Sequence, residues 1–171
     1  LIWKDFLKGY ESSGIFKFLD ANYKNDKFEK YIKSHINKVL FIRGNKKRYL
    51  SKGNYNIFRK KYIRKIFPDS KFIICFRHPI DNAISANKVH KNFLDYSIEN
   101  KYFNDILSIL CHFEFGLNRK TISLENEIFE YENLDEGTLY YVNQWQKIYN
   151  MVINNYANEK DIIFVDSQSI I

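Results

Sequence analysis

From residue 26 to residue 39, Phe28, Tyr31, Ile32, His35, Ile36 and Val39 recur at spacings of three, four and seven. One apolar stripe at that period predicts a helix, with Asn25 or Asp26 as its cap. The same periodicity predicts helices over residues 55–67, 101–116 and 139–156, with a short one over 1–7. Asn54 caps the first of these, and Pro68 with Asp69 stops it. Two runs give strand signals, the first of them apolar without a break. Residues 72–76 sit between Lys71 and Arg77, the pattern of a strand covered on both faces of a parallel sheet, and residues 161–165 give a second strand signal. Residues 48–51 read as a short strand, 41–45 as an edge segment and turn, and 10–22 as loop.

Pro79 suits the first position of a helix running to about Phe93, because its fixed φ fits there and its missing N–H would have no partner. It also holds His78 extended. The order strand, helix, strand, helix from residue 48 to residue 93 makes the two strands parallel neighbours. That order sets Lys52 and Arg77 at one carboxyl edge, where open α/β sheets bind ligands. Arg77 would lie beside the positive end of a helix, with Ser85 six residues inside it, and a fixed guanidinium plus a hydroxyl is suitable chemistry for a phosphate. The competing reading is an arginine that pairs at the surface and a serine on a solvated face. For Lys52 it is one solvated lysine among many, and for His35 a satisfied core histidine.

A chain of 171 residues with 45% hydrophobic and 18% aromatic content is enough for one folded domain, residues 1–171, rather than a disordered chain. The net charge of +7 suggests attraction to anions without naming one. Charge without a recognition motif does not make a nucleic-acid binder. Cys75 and Cys111 have no paired or metal-like spacing, so neither a disulfide framework nor a metal site is expected, and a reducing compartment is the default. No run reaches the roughly eighteen apolar residues of a membrane span. The acidic stretch 117–137 reads as a flexible excursion. The absent initial Met and the abrupt end at Ser169, Ile170 and Ile171 are read as a piece of a longer protein, incomplete at both ends.

R-x-P after a hydrophobic strand, with a serine eight positions past the arginine, resembles the 3′-phosphate motif of sulfotransferases that use 3′-phosphoadenosine 5′-phosphosulfate (PAPS). The flanks agree: KGNYNIFRKKYIRKIFPDSKFIICFRHPIDNAISANKVH is similar to the bacterial and Golgi branches of that family. The resemblance implies a helix-rich α/β fold, a P-loop-like three-layer sandwich on a central parallel sheet. It implies that Arg77 and Ser85 bind PAPS and that Lys52 approaches the transferred sulfate. Many members carry a catalytic histidine where this chain has Asn54, which cannot take a proton at neutral pH. Arg59 matches a recurring arginine. His90 matches a histidine of the bacterial branch, facing an acceptor or capping a helix end. LCHFEFGLNRK resembles a further segment of that branch, which gives His112, Glu114 and Arg119 a claim to the acceptor side. Two apart on a helix, His112 and Glu114 would not share a face.

The family's Gly-rich R-S-G-T loop, which cradles the 5′-phosphosulfate, has no counterpart among the six scattered glycines. Two functions are therefore expected to compete. One is sulfuryl transfer from PAPS, without a metal, to a small-molecule, glycan or protein acceptor in the cytoplasm, with the Golgi lumen as the lesser alternative. The other is a non-catalytic basic module that binds a nucleotide or polyanion.

Overall fold

The computed structural model describes residues 2–6, 15–16, 19–44, 48–124 and 136–170. Its elements, in order, are α1 (Ile2–Phe6), β1 (Ile15–Phe16), α2 (Asp26–Ile42), a 3-10 turn (Asn54–Arg59) running into α3 (Lys60–Ile66), β2 (Phe72–Phe76), α4 (Pro79–Glu99), α5 (Phe103–Ile109), β3 (Ser123–Leu124), α6 (Thr138–Tyr156) and β4 (Ile162–Asp166). The chain divides into two compact units, Phe18–Ser70 and a second made of Leu1–Lys17 with Lys71–Ile171.

In the unit Phe18–Ser70, the predicted stripe of α2 turns inward except at Tyr31, which is exposed. Phe28 is fully buried and stacks on Tyr62, whose ring lies 6.0 Å away. Phe58, Tyr62 and Ile66, one helical turn apart, bury the matching stripe of the 3-10 turn and α3. The Leu19 N–H donates to the Phe58 carbonyl, and the Tyr62 N–H to the Leu19 carbonyl. Asn25 caps α2 as expected, accepting from the Phe28 N–H. Three expectations fail here. Residues 48–51 form no strand: Arg48, Tyr49, Leu50 and Ser51 are all exposed and pair with no strand among the described residues. Gly53 precedes the next helical turn and Asn54 is inside it, so Asn54 is not its cap. Phe41 and Ile42 belong to the last turn of α2 rather than to an edge segment.

The second unit is α/β. β2 pairs in parallel with β4, Phe72 opposite Ile162 through Phe76 opposite Asp166. α4 packs along α6 through small residues: Ala83 and Ala86 admit the rings of Tyr140 and Tyr141. Gly137 opens α6 at φ 51, a conformation that suits only glycine, and a Cβ there would lie 2.7 Å from the Asn87 amide on α4. The neighbour of β2 is thus β4 and not residues 48–51, so the expected pair of strands carrying Lys52 and Arg77 is not formed. Nor is β2 covered on both faces. Ile73 and its register partner Ile163 are 59% and 52% exposed. An unbroken apolar run specifies a strand, but the coverage of its faces depends on layers outside the run.

β1 pairs in parallel with β3, so the expected loop over residues 10–22 holds a two-residue strand. Of the expected excursion 117–137, residues 125–135 lie outside the described residues.

Candidate active site

β2 and β4 end level with each other, and Arg77 and His78 lead from β2 into α4. His78 is extended (φ −48, ψ 129), as a residue before proline must be, and Pro79 begins the helix as the sequence predicts. The His78 side chain makes no cap, so the first-turn N–H groups and the positive end of the dipole are left for an anion. Arg77 is exposed just past the strand, and Ser85 is exposed near the end of the second turn of α4. The same edge is braced from β4. Gln168 donates from Nε2 to Asp81 Oδ2 at 3.0 Å and from its backbone N–H to Asp166 Oδ1 at 2.9 Å. Lys52 belongs to the other unit, where it is exposed directly before Gly53 and the 3-10 turn. Arg59 is buried, its Nε donating to Asn56 Oδ1 at 3.1 Å, which is a structural post.

The residues expected on the acceptor side fall into two contacts, His112 with Glu114 and His90 with Arg119. α5 stops at Ile109, well short of the expected residue 116. The Cys111 N–H donates to the Ser108 carbonyl and the His112 N–H to the Leu107 carbonyl, the paired bonds of a Schellman ending. Cys111 takes the left-handed position at φ 56 that glycine usually fills, so no sequence signal marked the stop. Released from the helix, His112 Nδ1 and Glu114 Oε2 approach to 3.2 Å. This is ion-pair distance without hydrogen-bond alignment, and it corrects the expectation that the two residues could not meet.

His90 is neither an exposed acceptor group nor a helix-end cap, because α4 continues to Glu99 and the ring is buried. Its Nδ1 accepts from the Gly116 N–H at 3.0 Å, which requires that nitrogen to be bare and assigns the ring proton to Nε2. Gly116 has φ 77, and a Cβ there would press on Phe93. Arg119 lies with Nη1 3.4 Å from His90 Nε2 and its guanidinium carbon 4.1 Å from the centre of the Tyr140 ring. With a proton on Nε2, the Arg119 contact is one donor facing another, not a hydrogen bond. The phenol of Tyr141 is buried, and among the described residues it meets only the Arg119 guanidinium, without full hydrogen-bond alignment. Burial pushes that phenol above its ordinary pKa, and the Arg119 guanidinium offsets part of the rise.

A sequence model of the sulfotransferase family matches residues 7–152. The chain belongs to the sulfotransferase family. Searches of curated proteins and of solved structures return no match. The matched span holds Lys52, Arg77, Ser85, His90, His112 and Arg119. Among the described residues, no group of three His, Cys, Asp or Glu side chains is placed to hold a metal, and no helix is long and apolar enough to cross a membrane. Tyr140, Tyr141 and Gln144 were not expected at the site. These three are the buried residues of the first turns of α6. Gln144 is held there by a polar bond, its Oε1 accepting from the Ile122 N–H at 3.2 Å, and apolar periodicity is blind to that.

Proposed function

We propose that the chain transfers the sulfuryl group of PAPS to a hydroxyl or amine acceptor, with Arg77 and Ser85 holding the 3′-phosphate. The carrying observation is the exposed Arg77 guanidinium at the carboxyl end of β2, one residue before an uncapped, proline-started helix that bears exposed Ser85. Among the described residues no carboxylate pairs with Arg77, so its donors fit a phosphate. PAPS, when bound, supplies the activated sulfuryl group, and no metal is required.

Lys52 serves as the charge that stabilises the sulfuryl oxygens in transit, as in other reactions run by positioning and electrostatics. Asn54 cannot be the base. We assign that role to His112, a partly exposed imidazole whose Nδ1 lies 3.2 Å from Glu114 Oε2. His90 and Arg119 position the acceptor side, since His90 Nδ1 is committed to Gly116. The acceptor is a small molecule, a glycan or a protein, and not a nucleic acid. The architecture that accompanies this reading is a P-loop-like three-layer sandwich, with β2 and β4 as two of its parallel strands, and the compartment is the cytoplasm.

In the intact protein, Arg77→Ala should weaken 3′-phosphoadenosine 5′-phosphate about ten-fold or more, since hydrogen bonds to charged groups contribute roughly 1.5–3 kcal/mol. An unchanged calorimetric Kd would remove Arg77 from the site. Asn54 favours a second reading, a module that binds a nucleotide or polyanion without catalysis. A radiolabelled sulfuryl-transfer assay over a panel of acceptors separates the two.

A further inference from the structure

The unit Phe18–Ser70 carries fifteen Lys and Arg against four Asp and Glu, a net of +11 in a chain whose total is +7, so the remaining residues carry −4. A general surplus of lysine would not divide in this way. Within the basic unit, α2 turns Phe28, Ile32, Ile36 and Val39 inward and leaves Lys27, Lys30, Tyr31, Ser34, Lys38, Phe41 and Ile42 exposed. These exposed positions fall at spacings of three, four, seven and eleven, on one side of the helix. The apolar members at its C-terminal end are open to solvent, Phe41 at 72% and Ile42 at 79%. Beyond Gly44 the chain offers exposed Arg48 and Tyr49, then Leu50 at 90% exposure. The acidic groups nearby do not cancel this face. Glu29 turns to Lys65 and Tyr62, and Asp26, at the opposite end, faces Lys24 at 3.4 Å.

We propose that the outer face of α2 lies on the surface of a bilayer rich in anionic phospholipid, with its lysines at the headgroups and Phe41 and Ile42 inserted beneath them. A helix of 17 residues, about 25 Å long, with cations along its length and apolar side chains at one end is suited to lie in the interface plane rather than to cross it. The exposed aliphatics select this partner. A polyanionic glycan or a nucleic acid would use the lysines but has no place for Ile42 or Leu50, whereas anionic lipid rewards cations and apolar side chains together. The inference does not depend on the transferase reading, because it concerns a different surface and a different readout.

The test is co-sedimentation of the intact protein with vesicles of phosphatidylcholine alone and with about 30% phosphatidylserine. Binding should require phosphatidylserine and weaken with salt. The pair Phe41→Ser and Ile42→Ser should weaken it about ten-fold or more, and Lys27→Gln, Lys30→Gln and Lys38→Gln together should abolish the preference for the anionic lipid. All five positions are exposed, and circular dichroism checks that the helix persists. Absence of binding at low salt would overturn the proposal. So would binding that ignores the Phe41 and Ile42 changes while heparin retention falls with the lysine changes, since a polyanion would then be the occupant. A dimer that dissociates with the Phe41 and Ile42 changes would instead make a second copy the occupant.

Discussion

Polar side chains of the unit Phe18–Ser70 are bonded in a network around Glu29, although Ser70 Oγ is buried without a partner among the described residues, whereas several around α4 and α6 are left waiting. In the first unit, Glu29 Oε1 receives the Tyr62 hydroxyl at 3.1 Å and Lys65 Nζ at 3.2 Å. In the second, Gln144 Nε2 and Trp145 Nε1 are buried without a hydrogen-bond partner among the described residues, and the Tyr141 hydroxyl meets only a poorly aligned Arg119 guanidinium. An unmet buried donor costs about 1–3 kcal/mol, so such groups mark places that a fold keeps for water or a ligand. The contrast distinguishes a unit built for stability from one that keeps polar capacity in reserve near its histidines.

Substitutions can break or sharpen that contrast. The largest effect should come from Gly137→Ala, where φ 51 is unfavourable for a side chain and the new methyl meets Asn87. A loss of roughly 2 kcal/mol in denaturant unfolding is expected. A loss below a few tenths would show that α4 and α6 are not held at this contact.

Tyr62→Phe should cost about 1.5 kcal/mol, the usual contribution of a bond to a charged group. Its pH profile sharpens the point. Burial pulls the Glu29 carboxyl up, but the bonds from Lys65, Tyr62 and the Asn25 N–H outweigh it and hold the carboxyl below its ordinary range. A carboxyl lowered in the folded state stabilises above its unfolded pKa, and that contribution is lost as the pH falls through the folded value. The wild type should therefore lose stability on the acid side of the carboxylate range, and Tyr62→Phe should flatten that slope. Parallel acid profiles for the two proteins would remove Glu29 from the network.

The smallest effect belongs to Tyr141→Phe. Its hydroxyl meets only the Arg119 guanidinium, without full hydrogen-bond alignment, so stability should change by less than about 1 kcal/mol. Acceptor KM should rise instead, if the phenol is held for the acceptor. A loss as large as that of Tyr62→Phe would mean that the two units satisfy their polar groups alike.

Much of this arrangement was legible in the residues. The stripe from Phe28 to Val39, the Pro79 start and the apolar runs of β2 and β4 are local signals, and each element formed where its signal lay. What was not legible depended on partners. The run Arg48–Ser51 looked like a strand, but Phe72–Phe76 pairs with Ile162–Asp166 instead. Cys111 ends α5 in a conformation that its identity does not announce, and only that ending lets His112 and Glu114 meet. His90 looked like an available imidazole until the Gly116 N–H, 26 residues away in sequence, claimed its Nδ1.

Trp145 lies flat on Tyr149 at 4.4 Å between ring centres, and the Tyr149 hydroxyl donates to the Cys75 carbonyl at 2.6 Å. Arg77 stands two residues further along the chain, just past the end of β2. The indole is therefore wired mechanically to the strand that delivers the arginine, and its emission gives an intrinsic optical gauge of whether that strand shifts when the edge is occupied.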